Sequence, residues 1–115
     1  MPQKTGEGTP LTPTAFYILL ALSEQDQHGY GIIKSILEKS NGQLRLGAGV
    51  LYSNLKRFID LDWIEELEER PVSNADDERR RYYRLSKTGH KVAKAEAKRL
   101  QEMVRLAAPL LRGAI

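Results

Sequence analysis

Residues 48–60 run Ala-Gly-Val-Leu-Tyr-Ser-Asn-Leu-Lys-Arg-Phe-Ile-Asp, and the reading of the fold turns on them. Leu51, Leu55, Phe58 and Ile59 recur at three- and four-residue spacing, the repeat of a helix with one apolar stripe. The opposite side presents Gly49, Tyr52, Ser53, Lys56 and Arg57. Such a helix can seat its stripe in a core while offering small, hydrogen-bonding and cationic groups outward. Those groups suit the base edges and phosphates of a DNA groove, and Gly49 leaves the first turn without bulk where a sugar–phosphate chain comes close. On a surface helix considered alone, the same groups are an ordinary solvated face. The flanking sequence decides between the two.

Upstream, Thr12-Pro13 supplies an N-cap hydroxyl followed by proline at the first helical position, where a missing N–H costs nothing. Residues 15–22 are apolar nearly all round and predict a buried helix ending near Ser23. After a polar break at Asp26 to Gly29, the spacing of Tyr30, Ile32, Ile33, Ile36 and Leu37 predicts a second, amphipathic helix. Asn41-Gly42 stops it, Gly42 being suited to a left-handed backbone past a helix end. Residues 44–47 then form a short extended connection to the third helix.

Downstream, Trp63 and Leu67 alternate with Glu66 and Glu68, and Arg81, Tyr83 and Leu85 alternate with Tyr82 and Arg84. A polar loop over residues 71–78 separates them, so the pattern predicts a two-stranded hairpin with a long tip. Glu65, Glu66, Glu68 and Glu69 on one strand face Arg79, Arg80, Arg81 and Arg84 on the other, which suits cross-strand ion pairing. Arg79, Arg80 and Arg81 are also candidates for a narrow minor groove or flanking phosphates.

Ser86 can cap a last helix reaching Leu111, with Pro109 tolerated as a kink or an early end. Ala93, Ala97, Leu100, Val104, Ala107 and Leu111 step by four and three in alternation, a heptad seam. Val92, Met103 and Leu110 add a second strip, and a small domain cannot easily cover both, so the seam predicts a homodimer. The order helix, helix, helix, hairpin, helix is that of a winged helix-turn-helix. The predicted fold is mainly α with a small β-hairpin. Residues 1–11 form a flexible arm, 12–85 the winged helix-turn-helix and 86–115 a C-terminal dimerisation helix.

Composition narrows the function classes. The 115 residues include no cysteine, which removes disulfides, thiolate catalysis and Cys-ligated metal. No apolar run approaches a bilayer span and the N-terminus lacks a signal-peptide core, so a cytoplasmic location without a membrane partner is expected. The net charge of +3 is unevenly spread: residues 65–85 hold seven acids against five bases, and residues 86–115 hold seven bases against two acids. Lys87, Lys91, Lys94, Lys98 and Arg99 make up most of that last excess and suit a solvated helix flank. His28 and His90 are far apart with no acidic cluster near either, and no nucleophile–base pair or phosphate loop is visible. No metal, cofactor or catalytic activity is expected.

Several motifs in the same order resemble the PadR-like transcriptional regulators. They are residues 11–22 with His28-Gly29-Tyr30 after them, residues 49–57, and residues 81–89 (RYYRLSKTG), a resemblance that covers roughly 11–106. It implies a dimeric winged-helix regulator, mostly a repressor, with Tyr52, Ser53, Lys56 and Arg57 on the DNA-facing surface and residues 86–111 building the dimer. Many such regulators respond to small aromatic or drug-like molecules, for which Tyr17, Tyr30 and Trp63 are candidate contacts here; plain packing is the alternative for each. His28 becomes a helix-start residue. Three positions depart from the family pattern: Val50 stands in place of threonine, Gly31 in place of an acid, and Trp63 in place of the glycine before the first wing strand.

The expected function is sequence-specific binding of a double-stranded, pseudo-palindromic operator by a homodimer. Gly49, Tyr52, Ser53, Lys56, Arg57, Arg79 and Arg80 are the expected contacts, and a small aromatic effector releases the complex. The rival expectation, kept open by the modest net charge and acidic wing tip, is a dimeric winged-helix module that binds protein rather than DNA.

Overall fold

A computed structural model describes residues 10–68, 70–71 and 79–113. Among these residues four helices and five short strands follow one another as α1 (Pro13–Glu24), β1 (Gln27–His28), α2 (Gly29–Lys39), α3 (Ala48–Asp60), β2 (Ile64–Glu66), β3 (Arg70–Pro71), β4 (Arg79–Arg80), β5 (Tyr82–Leu85) and α4 (Lys87–Leu111). The expected arm falls almost wholly outside the described residues, as do Glu69 and the acidic tip at Asp76, Asp77 and Glu78.

The helix starts follow the capping chemistry of the sequence. Thr12 Oγ1 accepts from the Ala15 amide at 3.1 Å, with Pro13 opening α1. His28 caps α2, its Nδ1 accepting from the Gly31 amide at 3.0 Å, and Ser86 caps α4 through the Gly89 amide at 3.0 Å. After α2, Asn41 (φ 55°) and Gly42 (φ 80°) both turn left-handed, and the Gly42 amide reaches back to the Leu37 carbonyl at 2.8 Å. Residues 44–47 connect α2 to α3 without forming a strand. Pro109 lies in the last turn of α4 rather than ending it early. There only the Arg105 carbonyl loses an amide partner.

The core draws one face from every helix. Ala15, Ile18, Leu19, Ala21 and Leu22 of α1, Ile32 and Ile36 of α2, and Leu51, Leu55 and Phe58 of α3 pack with Trp63, Ile64, Tyr83, Leu85, Val92 and Ala93. Two expectations change here. Residues 15–22 are apolar all round, yet Phe16, Tyr17 and Leu20 are only half-covered by this chain. Tyr30, placed by its spacing on the apolar face of α2, is instead 63% exposed.

The wing is a three-stranded antiparallel sheet in the order β1-β5-β2, not a bare two-stranded hairpin. Gln27 and His28 pair with Tyr83 and Tyr82, while Ile64, Glu65 and Glu66 pair with Leu85, Arg84 and Tyr83. The strand β1 thus ties the α1–α2 junction to the wing. Farther out, Arg70 and Pro71 pair with Arg80 and Arg79. Gly89 sits where α4 crosses the end of β2: a Cβ there would run into the Trp63 carbonyl, so the approach requires glycine.

Candidate nucleic-acid interface

Helix α3 rests on Leu51, Leu55 and Phe58, with Ile59 half-buried beside them. Gly49, Tyr52, Ser53, Lys56 and Arg57 are all exposed on its other side. The five α3 residues expected to meet DNA therefore share one accessible face. At the start of the helix no Cβ added to Gly47 or Gly49 would meet anything within 4 Å, so this end is open. The face also carries Asp60 in the last turn, one acid against the two cations Lys56 and Arg57, so the face stays net positive toward an anionic partner.

Tyr52 has a second task. Its hydroxyl lies so close to Gly29 that a Cβ there would overlap it, so the first turn of α2 and the ring of Tyr52 fit only because residue 29 is glycine. Half of Tyr52 remains exposed while its tip braces α3 against α2. Asn54 is half-buried and donates its side-chain amide to the Val50 carbonyl at 2.9 Å.

The wing arginines divide. Arg84 donates to Glu65 through Nε and Nη2 at 3.1 and 3.0 Å, and Arg81 donates to Glu66 at 3.2 Å. The cross-strand pairing expected from the sequence is therefore present at these two positions. Both pairs are half-exposed, and such surface pairs contribute at most about 1 kcal/mol. Their larger effect is to reduce the positive field of the wing. Arg80, expected at a groove or at phosphates, turns toward α2 instead, its guanidinium 5.2 Å from the centre of the Tyr30 ring. The side chain of Arg79 lies outside the described residues.

His28 stands at the same junction, edge-on to Tyr82 at 5.3 Å and stacked with Tyr30 at 6.4 Å. Partial burial, and then the nearby Arg80 charge, hold its imidazole below its usual range, which keeps the capping nitrogen free to accept. No periodicity in the sequence announces this His28–Tyr30–Arg80–Tyr82 cluster, because it joins four elements, β1, α2, β4 and β5. The Gly29-Tyr30 pair beside His28 was the one local hint.

The proposed effector residues are not brought together. Trp63 is 2% exposed and stacks on Phe58 at 5.1 Å, so it is core. Tyr17 lines a groove of about 450 Å³ between α1 and α4, with Leu11, Phe16, Leu20, Arg99 and Leu100 among its walls. At its edge Glu96 is 3% exposed, accepts two hydrogen bonds from Arg99 at 2.8 and 2.7 Å, and accepts a third from the Leu11 amide at 3.3 Å. The Arg99 hydrogen bonds hold the Glu96 carboxyl below the usual carboxylate range against the opposing effect of burial, helped by the Leu11 amide. Sequence reading missed Glu96, although an acid three residues before an arginine is a helical pairing signal.

The expected dimer seam is split along α4. Ala93 is buried in the core of its own chain and is not available to a second one. Leu100 and Ala107 are half-buried, Ala97 is exposed, and Val104 and Leu111 are 56% and 76% exposed. No helix of the described residues is long and apolar enough to cross a membrane.

The sequence profile of the PadR-like transcriptional regulator family matches residues 18–95, from α1 to the middle of α4. Among solved structures, a transcriptional regulator from Clostridium thermocellum is 26% identical, over 82% of this chain and 88% of its own, with a TM-score of 0.67. A PadR family transcription regulator from Clostridium difficile is 23% identical over 84% of this chain and 96% of its own, with a TM-score of 0.69. PadR of Bacillus subtilis, solved in complex with operator DNA, is 19% identical over 79% of this chain and 48% of its own, with a TM-score of 0.60. No curated protein matches the chain. The profile spans well over half the sequence and takes in α2, α3 and the wing sheet, and the chain belongs to the PadR-like family of transcriptional regulators.

Proposed function

We propose that this protein is a homodimeric repressor that binds a pseudo-palindromic operator through α3, one helix of each subunit entering successive major grooves about 34 Å apart. The observation that carries the reading is the division of α3 into a buried stripe and an exposed face holding Ser53, Lys56 and Arg57. The likeness in fold to Bacillus subtilis PadR, solved in complex with operator DNA, supports operator DNA as the partner. Repression follows from occupancy of the operator, which denies it to the transcription machinery. The groove between α1 and α4 that holds Tyr17 is the place for a small aromatic effector, which would act by changing the spacing of the two reading helices. The work is binding rather than catalysis, in the cytoplasm, where the DNA lies.

The rival reading as a protein-binding module draws on the wing, where Arg81 and Arg84 are neutralised by glutamates. One experiment separates the two. A Lys56→Glu/Arg57→Glu double variant, titrated by fluorescence anisotropy against the DNA flanking its own gene, is expected to lose operator binding at least a hundredfold while its circular dichroism and melting stay unchanged. Normal binding by that variant, or only weak and sequence-blind binding by the wild type, overturns the reading.

A further inference from the structure

Along the exposed face of α3, the first side chain of any size is Val50. Residues 47–49 are Gly-Ala-Gly, the space about both glycines is empty, and Val50 stands 53% exposed at the end of this bare stretch. Single exposed valines are common on proteins. This one occupies the first turn of a helix whose exposed face is otherwise small, polar or charged apart from the ring of Tyr52, whose tip is engaged with α2 at Gly29, and valine there is a poorer helix former than alanine or most polar residues. The neighbours on its flank are Asn54 one turn on and Arg57 two turns on. The Asn54 amide is turned onto the Val50 carbonyl at 2.9 Å, so Val50 and Arg57 are the groups that this flank presents outward.

From these observations we infer that Val50 determines base specificity by packing against a thymine C5 methyl in the major groove, an inference that rests on the DNA-binding reading of α3. The thymine methyl is the one apolar group that bases display in that groove, and N-terminal residues of a reading helix lie nearest the base edges. Opposite a guanine, adenine or cytosine edge, the two valine methyls would strip water from polar atoms and return no hydrogen bond. Arg57 lies roughly 10 Å farther along the helix, so it reaches a phosphate or base about three steps from the one Val50 meets. Val50 therefore selects a base, whereas Lys56 and Arg57 hold the register.

The test uses the full chain and an operator obtained by selection from random duplexes. Each thymine is replaced in turn by deoxyuridine, which removes only the methyl, and affinity is read by anisotropy for the wild type and for Val50→Ala. At one thymine in each half-site the replacement is expected to weaken wild-type binding about three- to tenfold. Val50→Ala should weaken binding to the thymine operator by a similar factor and be indifferent to deoxyuridine at that position, so the two losses do not add. Val50→Ser provides a second variant with the same expected indifference, and the melting of both should match the wild type. If the valine and methyl effects add at every thymine, or no thymine responds, the role of Val50 is overturned while operator binding stands. A wild-type chain without sequence preference overturns both.

Discussion

Asp62 holds a left-handed backbone, φ 61°, one residue past the C-cap of α3. The Trp63 amide donates back to the Phe58 carbonyl at 2.8 Å and the Asp62 amide to the Ile59 carbonyl at 3.0 Å, the paired bonds that close a helix through a left-handed residue. The closure delivers Trp63 onto Phe58 and turns the chain into β2, so the strain at Asp62 is what fixes the reading helix relative to the wing. The family resemblance puts Trp63 where a glycine is usual before the first wing strand; in the structure the left-handed residue is Asp62, one position earlier. Trp63 is the fully buried residue that follows. The sequence pattern locates the stop but not which residue bends, because an aspartate tolerates this conformation at a cost that local composition does not display. Asp62→Gly is expected to stabilise the fold by about 1 kcal/mol, raising the melting temperature by several degrees. The Ser86 hydroxyl donates to the Asp62 carbonyl, a backbone contact that glycine keeps. A calorimetric scan that shows no gain, or a loss, would mean that the aspartate side chain contributes something the backbone geometry does not reveal.

At the level of elements, α3 was legible and the wing only partly so. The thirteen residues of α3 have two contrasting faces, and a core on one side enforces both. By contrast β1 is two residues long, too short for any alternation, and it exists because His28 and Gln27 pair with Tyr82 and Tyr83 far along the chain. The fastening of α1 to α4 was equally hidden, since Glu96 binds the Leu11 amide across 85 positions in sequence. Its charge makes that fastening dependent on pH. The carboxyl is held below its ordinary value of 4.5 in the folded chain, so its stabilisation is fully present above that value and is lost as the pH falls through the lower folded one. Melting temperature should therefore decline on acidification below about pH 4.5. Glu96→Gln, which keeps the size but not the charge, should lower stability near pH 7 by about 1–2 kcal/mol and flatten that part of the acid decline. Thermal melts of the two proteins between pH 3 and 7 check this, and parallel curves would show that Glu96 is not the group responsible.

Taken as a whole, the molecule is longer than its chain length requires. Its radius of gyration is 16.1 Å, against about 13 Å for a compact chain of this size, and its extents are 57 × 37 × 22 Å. One long element is α4, whose 25 residues span about 37 Å. Its first half docks through Gly89, Val92, Ala93 and Glu96, while among the described residues beyond Leu100 none is buried. The stripe nevertheless continues at helical spacing through Met103, Val104, Ala107, Leu110 and Leu111, most of them more than half exposed. A heptad pattern read from sequence treats the seam as one surface; the fold spends its N-terminal end on the chain's own core and leaves the rest bare. The half-covered Phe16, Tyr17 and Leu20 of α1 border the same side through the groove with Leu100, so a second copy laid against α4 would cover both. Val104→Glu/Leu111→Glu is the cleaner test of this dimer, because both side chains are free of the monomer core and Leu100 lies beside the buried Glu96. Sedimentation should show a dimer for the wild type and a folded monomer for the variant. Operator affinity should fall by about a hundredfold or more as the two half-sites cease to be bound together. A variant that remains dimeric would place the contact elsewhere on the molecule, and the exposed stripe would then need a different partner.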